Sequence, residues 1–186
     1  MPESALEEFE AHEHAQHAAH ANSPLISQVT FTIAVLAVAA AVVASLETTE
    51  GDKAIIAKND AVLQQNKATD QWNFYESKSL KKNLYTLAAA QGGPKAAEYA
   101  KTAARNGADQ GDIQRAAKAL EARRDALDAE AETHEHRHGR LTIASTLLHM
   151  SIAIATLAII LTRRWPWVVS LALAAAGTAL AGWAYL

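Results

Sequence analysis

The chain has 186 residues, half of them hydrophobic (50%), and a formal net charge of −3. That balance offers no broad basic surface and argues against nucleic acid as a partner. The absence of cysteine excludes disulfides, a thiolate metal site and a cysteine nucleophile. A mean hydropathy of −0.05 conceals a division between strongly apolar runs and a highly charged middle.

The first 23 residues form an acidic, His-rich tail with Glu3, Glu7, Glu8, Glu10 and Glu13, no Lys or Arg, and His12, His14, His17 and His20. Ser4 and Glu7 fit a capping box, and a short helix there would align His14, His17 and His20. No basic region precedes the first apolar run, and that run is too long for a signal peptide. It is expected to be retained.

Residues 25–46, 141–161 and 165–186 contain no Lys, Arg, Asp or Glu. Each is long enough to cross a bilayer as a helix, which takes roughly 20 residues. The expected division is a tail at 1–23, a first transmembrane helix at 24–46 and an extramembrane helical segment at 47–140. A second transmembrane helix follows at 141–162, and a tight loop with the third occupies 163–186. Pro24 suits a first helical turn. Trp165 and Trp167 belong at one membrane interface, and Trp183 and Tyr185 at the other. Orientation signals conflict. The short Arg163-Arg164 loop favours the cytoplasm, whereas Lys53, Lys58, Arg123, Arg124, Arg137 and Arg140 against an acidic tail favour a cytoplasmic middle domain. The larger count places the domain in the cytoplasm.

The middle reads as helices. Residues 52–90 lack Pro and Gly, and Gln91-Gly92-Gly93-Pro94 breaks the run. A short helix is expected over 95–105, ended by Asn106-Gly107. A loop at 109–112 follows, with Asp112 as the N-cap of a return helix from Ile113. That helix has a heptad seam of Ile113, Ala117, Leu120, Arg124, Leu127, Ala131, His134, His138 and Leu141. The seam continues into the apolar run as Ser145, Leu148, Ile152, Ala155 and Ile159. On the outgoing helix Asn59, Asn66 and Asn73 recur every seventh residue beside Ile55/Ile56 and Val62/Leu63. They either set register on a seam or face water, and water is the commoner place for such residues. The expected fold is all-α: three transmembrane helices and an extramembrane antiparallel helical hairpin of coiled-coil type.

The segment 70–82 concentrates unusual side chains. Trp72, Phe74 and Tyr75 lie within four residues and point to different sides of a helix. They are either a contact for another subunit or partner, since aromatics dominate interface energetics, or packing against the short helix at 95–105. The order of features is distinctive: a His-rich acidic tail, one span, Asp-Gln-Trp-x-Phe-Tyr-x-x-Lys-Ser-Leu-Lys, a charged helical segment, Glu-His-Arg-His before a second span, and Arg-Trp-Pro-Trp before the third. In this the chain resembles the bacterial membrane proteins grouped as domain-of-unknown-function family 4337, over nearly its whole length. The resemblance implies a bacterial envelope location, in the inner membrane. It supplies neither a mechanism nor catalytic residues.

Histidine is the remaining chemical lead. Glu130, His134 and His138 share a helical face at i, i+4 spacing and form a candidate site for a divalent metal such as zinc. The seam positions of His134 and His138 already explain the two histidines as packing residues, which is the favoured reading. His149 falls inside the second apolar run, where ionisable residues are rare. With Gln28, Thr30, Ser145 and Ser151 it would line a polar path, or it would hydrogen-bond a neighbouring span, which is the favoured reading. Gly177 and Ala181 form a small-xxx-small pair, and Ala34, Ala37, Ala41 and Ala44 a similar face. Such faces pack spans within one protomer or between protomers.

Three functions follow as expectations. The first is a non-enzymatic membrane scaffold that forms homo-oligomers and docks another membrane or envelope protein. The second is a subunit of an oligomeric channel or transporter, and the third a His-based metal or pH sensor. No cofactor is implied. An enzyme is not expected, because no Gly-rich phosphate loop, paired-carboxylate cleft or His-Glu-x-x-His motif is present.

Overall fold

A computed structural model describes residues 24–186. Three helices account for nearly all of them: α1 (Pro24–Ala90), α2 (Ala96–Leu161) and α3 (Arg164–Trp183). There is no strand among the described residues. All three helices contain a stretch long and apolar enough to cross a membrane. The contacts divide the chain into two compact units. The described part of one is 24–50 with 136–186, and the other is Gly51–Glu135.

In the first unit, Leu36, Ala40 and Val43 of α1 meet Leu141, Ala144 and Leu148 of α2 and Ala174 of α3 in one apolar cluster. A second cluster joins Val29 to Ala155 and Ala158, with Leu25, Ile33, Ile159 and Trp167 packed on it. The Trp167 indole Nε1–H donates to Thr32 Oγ1 at 3.2 Å. Small residues allow the close approach. A Cβ placed on Gly177 would lie 3.1 Å from the Ala144 carbonyl oxygen and 3.2 Å from Leu147 Cβ. Only Gly leaves room for α2 there, so this small residue packs helices within the chain. Ala34, Ala37 and Ala41 are exposed. A two-residue link, Thr162-Arg163, joins α2 to α3. Thr162 takes a left-handed conformation, φ 49°, as the residue after a helix often does. Pro166 is in the first turn of α3, where a missing N–H costs nothing.

In the unit Gly51–Glu135, buried Ala57, Ala61 and Ala68 of α1 form a narrow seam with half-buried Ala54, Trp72 and Tyr75. On α2 every expected seam position of this unit, Ile113, Ala117, Leu120, Arg124, Leu127, Ala131 and His134, is buried or half-buried. Polar contacts fix the pairing. Lys58 lies 3.3 Å from Asp128. Arg124 Nη1 donates to Gln65 Oε1 at 2.6 Å, and Lys78 Nζ donates to Asp109 Oδ2 at 2.7 Å. The Tyr85 and Tyr99 rings are 5.9 Å apart. Partners ascend on α1 as they descend on α2, so within this unit the two segments run in opposite directions.

One expectation is corrected here. The chain does not break at Asn106-Gly107 or at 109–112, because α2 is continuous from Ala96 to Leu161. The Asn106 side chain donates to the Thr102 carbonyl at 2.9 Å. The Lys82 methylenes cover Gly107 at 3.4 Å from where a Cβ would be. These contacts, with the Lys78–Asp109 pair, outweigh the ~1 kcal/mol propensity cost of an interior Gly. Asp112 is therefore not a cap. It is exposed and pairs with Arg115 one turn on. The break at Gln91-Gly92-Gly93-Pro94 does occur, with Gly92 and Gly93 at φ 77° and 100°.

Candidate functional site

A dense polar cluster among the described residues of the first unit gathers around the ends of its apolar segments. Glu47 and Glu50 follow the charge-free run of α1. Arg137, His138, Arg140 and Thr142 precede and enter that of α2, and Trp183 and Tyr185 end that of α3. His138 Nδ1 lies 2.9 Å from the Glu47 carbonyl oxygen. A carbonyl only accepts, so Nδ1 carries the proton and the ring donates. Thr142 Oγ1 donates to Glu47 Oε1 at 2.8 Å and lies 3.0 Å from the His138 carbonyl. Glu50 is only 2% exposed. Arg137 Nη1 stands 4.0 Å from Glu50 Oε2, and the Arg137 guanidinium lies 5.4 Å from the Tyr185 ring centre. The Arg140 guanidinium covers the Trp183 ring at 5.2 Å and donates through Nη1 to the Trp183 carbonyl at 3.2 Å. That carbonyl, at the end of α3, also accepts from the Leu186 backbone N–H at 3.3 Å. The cluster is thus internally paired. It binds the ends of three helix segments through charge-assisted hydrogen bonds and cation–π contacts.

The expected metal ligands are placed separately. In the unit Gly51–Glu135, His134 Nε2 lies 4.0 Å from Glu130 Oε1. Both line an open groove of about 490 Å³ with Lys53, Ile56, Ala57, Asp60 and Leu127. His138 directs Nδ1 to the Glu47 carbonyl. Among the described residues no group of three or more His, Asp or Glu side chains is placed to hold a metal ion. The tail histidines lie outside the described residues.

The aromatic triplet divides. Trp72 and Tyr75 are half-buried and meet edge to face at 5.7 Å. The Trp72 Nε1–H donates to Glu121 Oε1 at 2.8 Å, a residue outside the segment 95–105 that one of its two readings set against it. Phe74 is exposed, with Lys78 Nζ 5.3 Å from its ring centre. Asn59, Asn66 and Asn73 are all exposed.

The favoured reading of His149 is also corrected. Its Nδ1 lies 2.8 Å from the Ser145 carbonyl of its own helix, four residues back, rather than on a neighbouring helix, and the residue is exposed. Here the ring reaches back to the carbonyl one turn earlier, and no described neighbour covers this side. Gln28 is likewise exposed, and its backbone carbonyl accepts from Thr32 Oγ1 at 2.8 Å. Ser151 is fully buried and donates to the Leu148 carbonyl at 2.7 Å. Sequence reasoning missed the Glu47 and Glu50 contacts. The available clue was symmetry: Glu47 and Glu50 are the first acids after one charge-free run, and Arg137 and Arg140 the last bases before the next.

Comparison with known proteins yields no match among curated proteins and none among solved structures. A family model described as "Domain of unknown function (DUF4337)" matches residues 25–186, so the chain belongs to that family.

Proposed function

We propose that the chain is a non-enzymatic scaffold of the bacterial inner membrane, anchored by three transmembrane helices. It self-associates and docks partner proteins through an extramembrane helical hairpin of coiled-coil type on the cytoplasmic side. The observation that carries this reading is the burial of the apolar windows. Only 22%, 33% and 22% of the most apolar stretches of α1, α2 and α3 are buried within the chain. Phe31, Val35, Val38, Ile160, Val168 and Leu171 face outward. Continuous apolar helical faces of this length call for a hydrocarbon solvent. Arg137, Arg140, Trp183 and Tyr185 then lie where an interfacial aromatic and basic belt would be.

The unit Gly51–Glu135 supports a binding role over a chemical one. Ion pairs and hydrogen bonds such as Lys58–Asp128 and Lys78–Asp109 join its two segments, and no buried side-chain nitrogen or oxygen among the described residues lacks a partner. The basic residues beside the apolar runs support the cytoplasmic side. Detergent-corrected light scattering tests self-association. A mass of two or more copies is expected, and a monomer at every concentration would contradict it. A Gly107→Cys variant tests sidedness, since the native chain has no thiol to compete. An impermeant maleimide should label it only in inverted vesicles, and labelling in intact cells would reverse the assignment.

A further inference from the structure

We propose that the outward face of α1 within the unit Gly51–Glu135 is a contact between two copies of this chain, paired parallel and in register. This rests on the reading of the chain as a self-associating membrane scaffold, and it names the surface and the partner.

The face has heptad spacing. Ile56, Leu63, Leu84 and, on the alternating row, Leu80 and Leu87 stand 61%, 48%, 61%, 70% and 66% exposed. Asn59, Asn66 and Asn73 continue the Leu80–Leu87 row at intervals of seven residues and are exposed too. Asp70 and Ser77 complete the steps of three and four. The side used within the chain is the other one. Ala61 is buried, and Asn59, two residues earlier, lies about 200° round the helix at ~100° per residue. The helix therefore has two seams: a narrow alanine seam occupied by α2, and a wider seam of Leu, Ile and Asn that none of the described residues covers.

The asparagines identify the occupant. An Asn amide offers both donors and an acceptor, so it pairs with another Asn across a symmetry axis. Three of them, seven apart, meet their equivalents only when both helices run the same way and equal numbers face each other. An antiparallel partner centred on Asn66 would also set Asn59 against Asn73, so the spacing alone does not choose the direction. Chains inserted in one sense into one membrane present this helix in parallel, and that selects the pairing in which equal numbers meet. A polar residue at a seam position is a known device for fixing register and copy number. Asp70 is the one charge in the row, and it is exposed.

The test uses the full chain in native membranes. Single variants Asn66→Cys and Asn73→Cys are oxidised with copper phenanthroline and compared with Lys118→Cys, an exposed position on α2. Disulfide-linked dimer is expected at both asparagine positions in at least tenfold greater yield than at Lys118→Cys. Equal yields would overturn the proposal. Mass in mild detergent separates the two levels. A dimer that persists without enriched cross-linking removes this surface and leaves self-association standing, whereas a monomer without cross-linking removes both.

Discussion

The Trp72 indole donates to the Glu121 carboxylate at 2.8 Å across the two helix segments of the unit Gly51–Glu135. Its ring is set edge-on against Tyr75, one turn along α1. Of the two readings of Trp72, partner contact or packing within the chain, this bond gives it an intrachain partner. Hydrogen bonds to charged groups contribute about 1.5–3 kcal/mol in favourable settings, and half-burial lowers that figure. Trp72→Phe is expected to lower stability by about 1–2 kcal/mol, read by denaturant titration of the far-ultraviolet dichroism, with Glu121→Gln losing less. An unchanged midpoint for Trp72→Phe would remove the bond from the account.

Gly177 and Gly182 provide a matched pair on α3. A methyl at 177 meets the Ala144 carbonyl at 3.1 Å, whereas one at 182 meets nothing within 4 Å. Overpacking against a backbone atom costs about 1–3 kcal/mol. Gly177→Ala should therefore lower thermal stability in detergent, and Gly182→Ala should leave it unchanged or slightly raised. The reverse order would contradict the helix contact.

Gly107 tests the continuity of α2. A methyl there reaches the flexible Lys82 stem at ordinary contact distance, and one at Gly111 meets open space. In a helix interior, replacing Gly by Ala gains roughly 0.5–1 kcal/mol. Gly107→Ala and Gly111→Ala should each raise the melting temperature. A loop with a left-handed Gly at 107 would give a loss instead.

The tight turn between α1 and α2 carries the opposite expectation. Gly92 and Gly93 have φ of 77° and 100°, where a Cβ costs roughly 1–2 kcal/mol. Gly92→Ala and Gly93→Ala should each destabilise by about that amount in the same melting assay, although neither methyl would touch another atom.

The distribution of burial on α2 was legible. Its seam positions from Ile113 through Leu141 to Ile159 are all buried or half-buried, because periodicity is a local property that tertiary packing preserves. The inward side of α1 was not. Ala57, Ala61 and Ala68 pack there, and alanine gives little hydropathic contrast, so the larger Ile, Leu and Asn residues drew attention to the opposite side. Asn106-Gly107 read as a stop because isolated Gly and Asn end many helices. Here Thr102 and Lys82 provide the local and tertiary contacts that carry the helix through. The His138–Glu47 contact spans 91 residues and has no local signature. Pairings of that kind follow from the fold alone.

The central claim is that the three charge-free stretches lie in lipid. Alkaline carbonate extraction of membranes from expressing cells tests it directly. The chain should remain wholly in the pellet and enter the supernatant only with detergent. Release by carbonate alone would show that α1, α2 and α3 bury their apolar faces against protein rather than hydrocarbon.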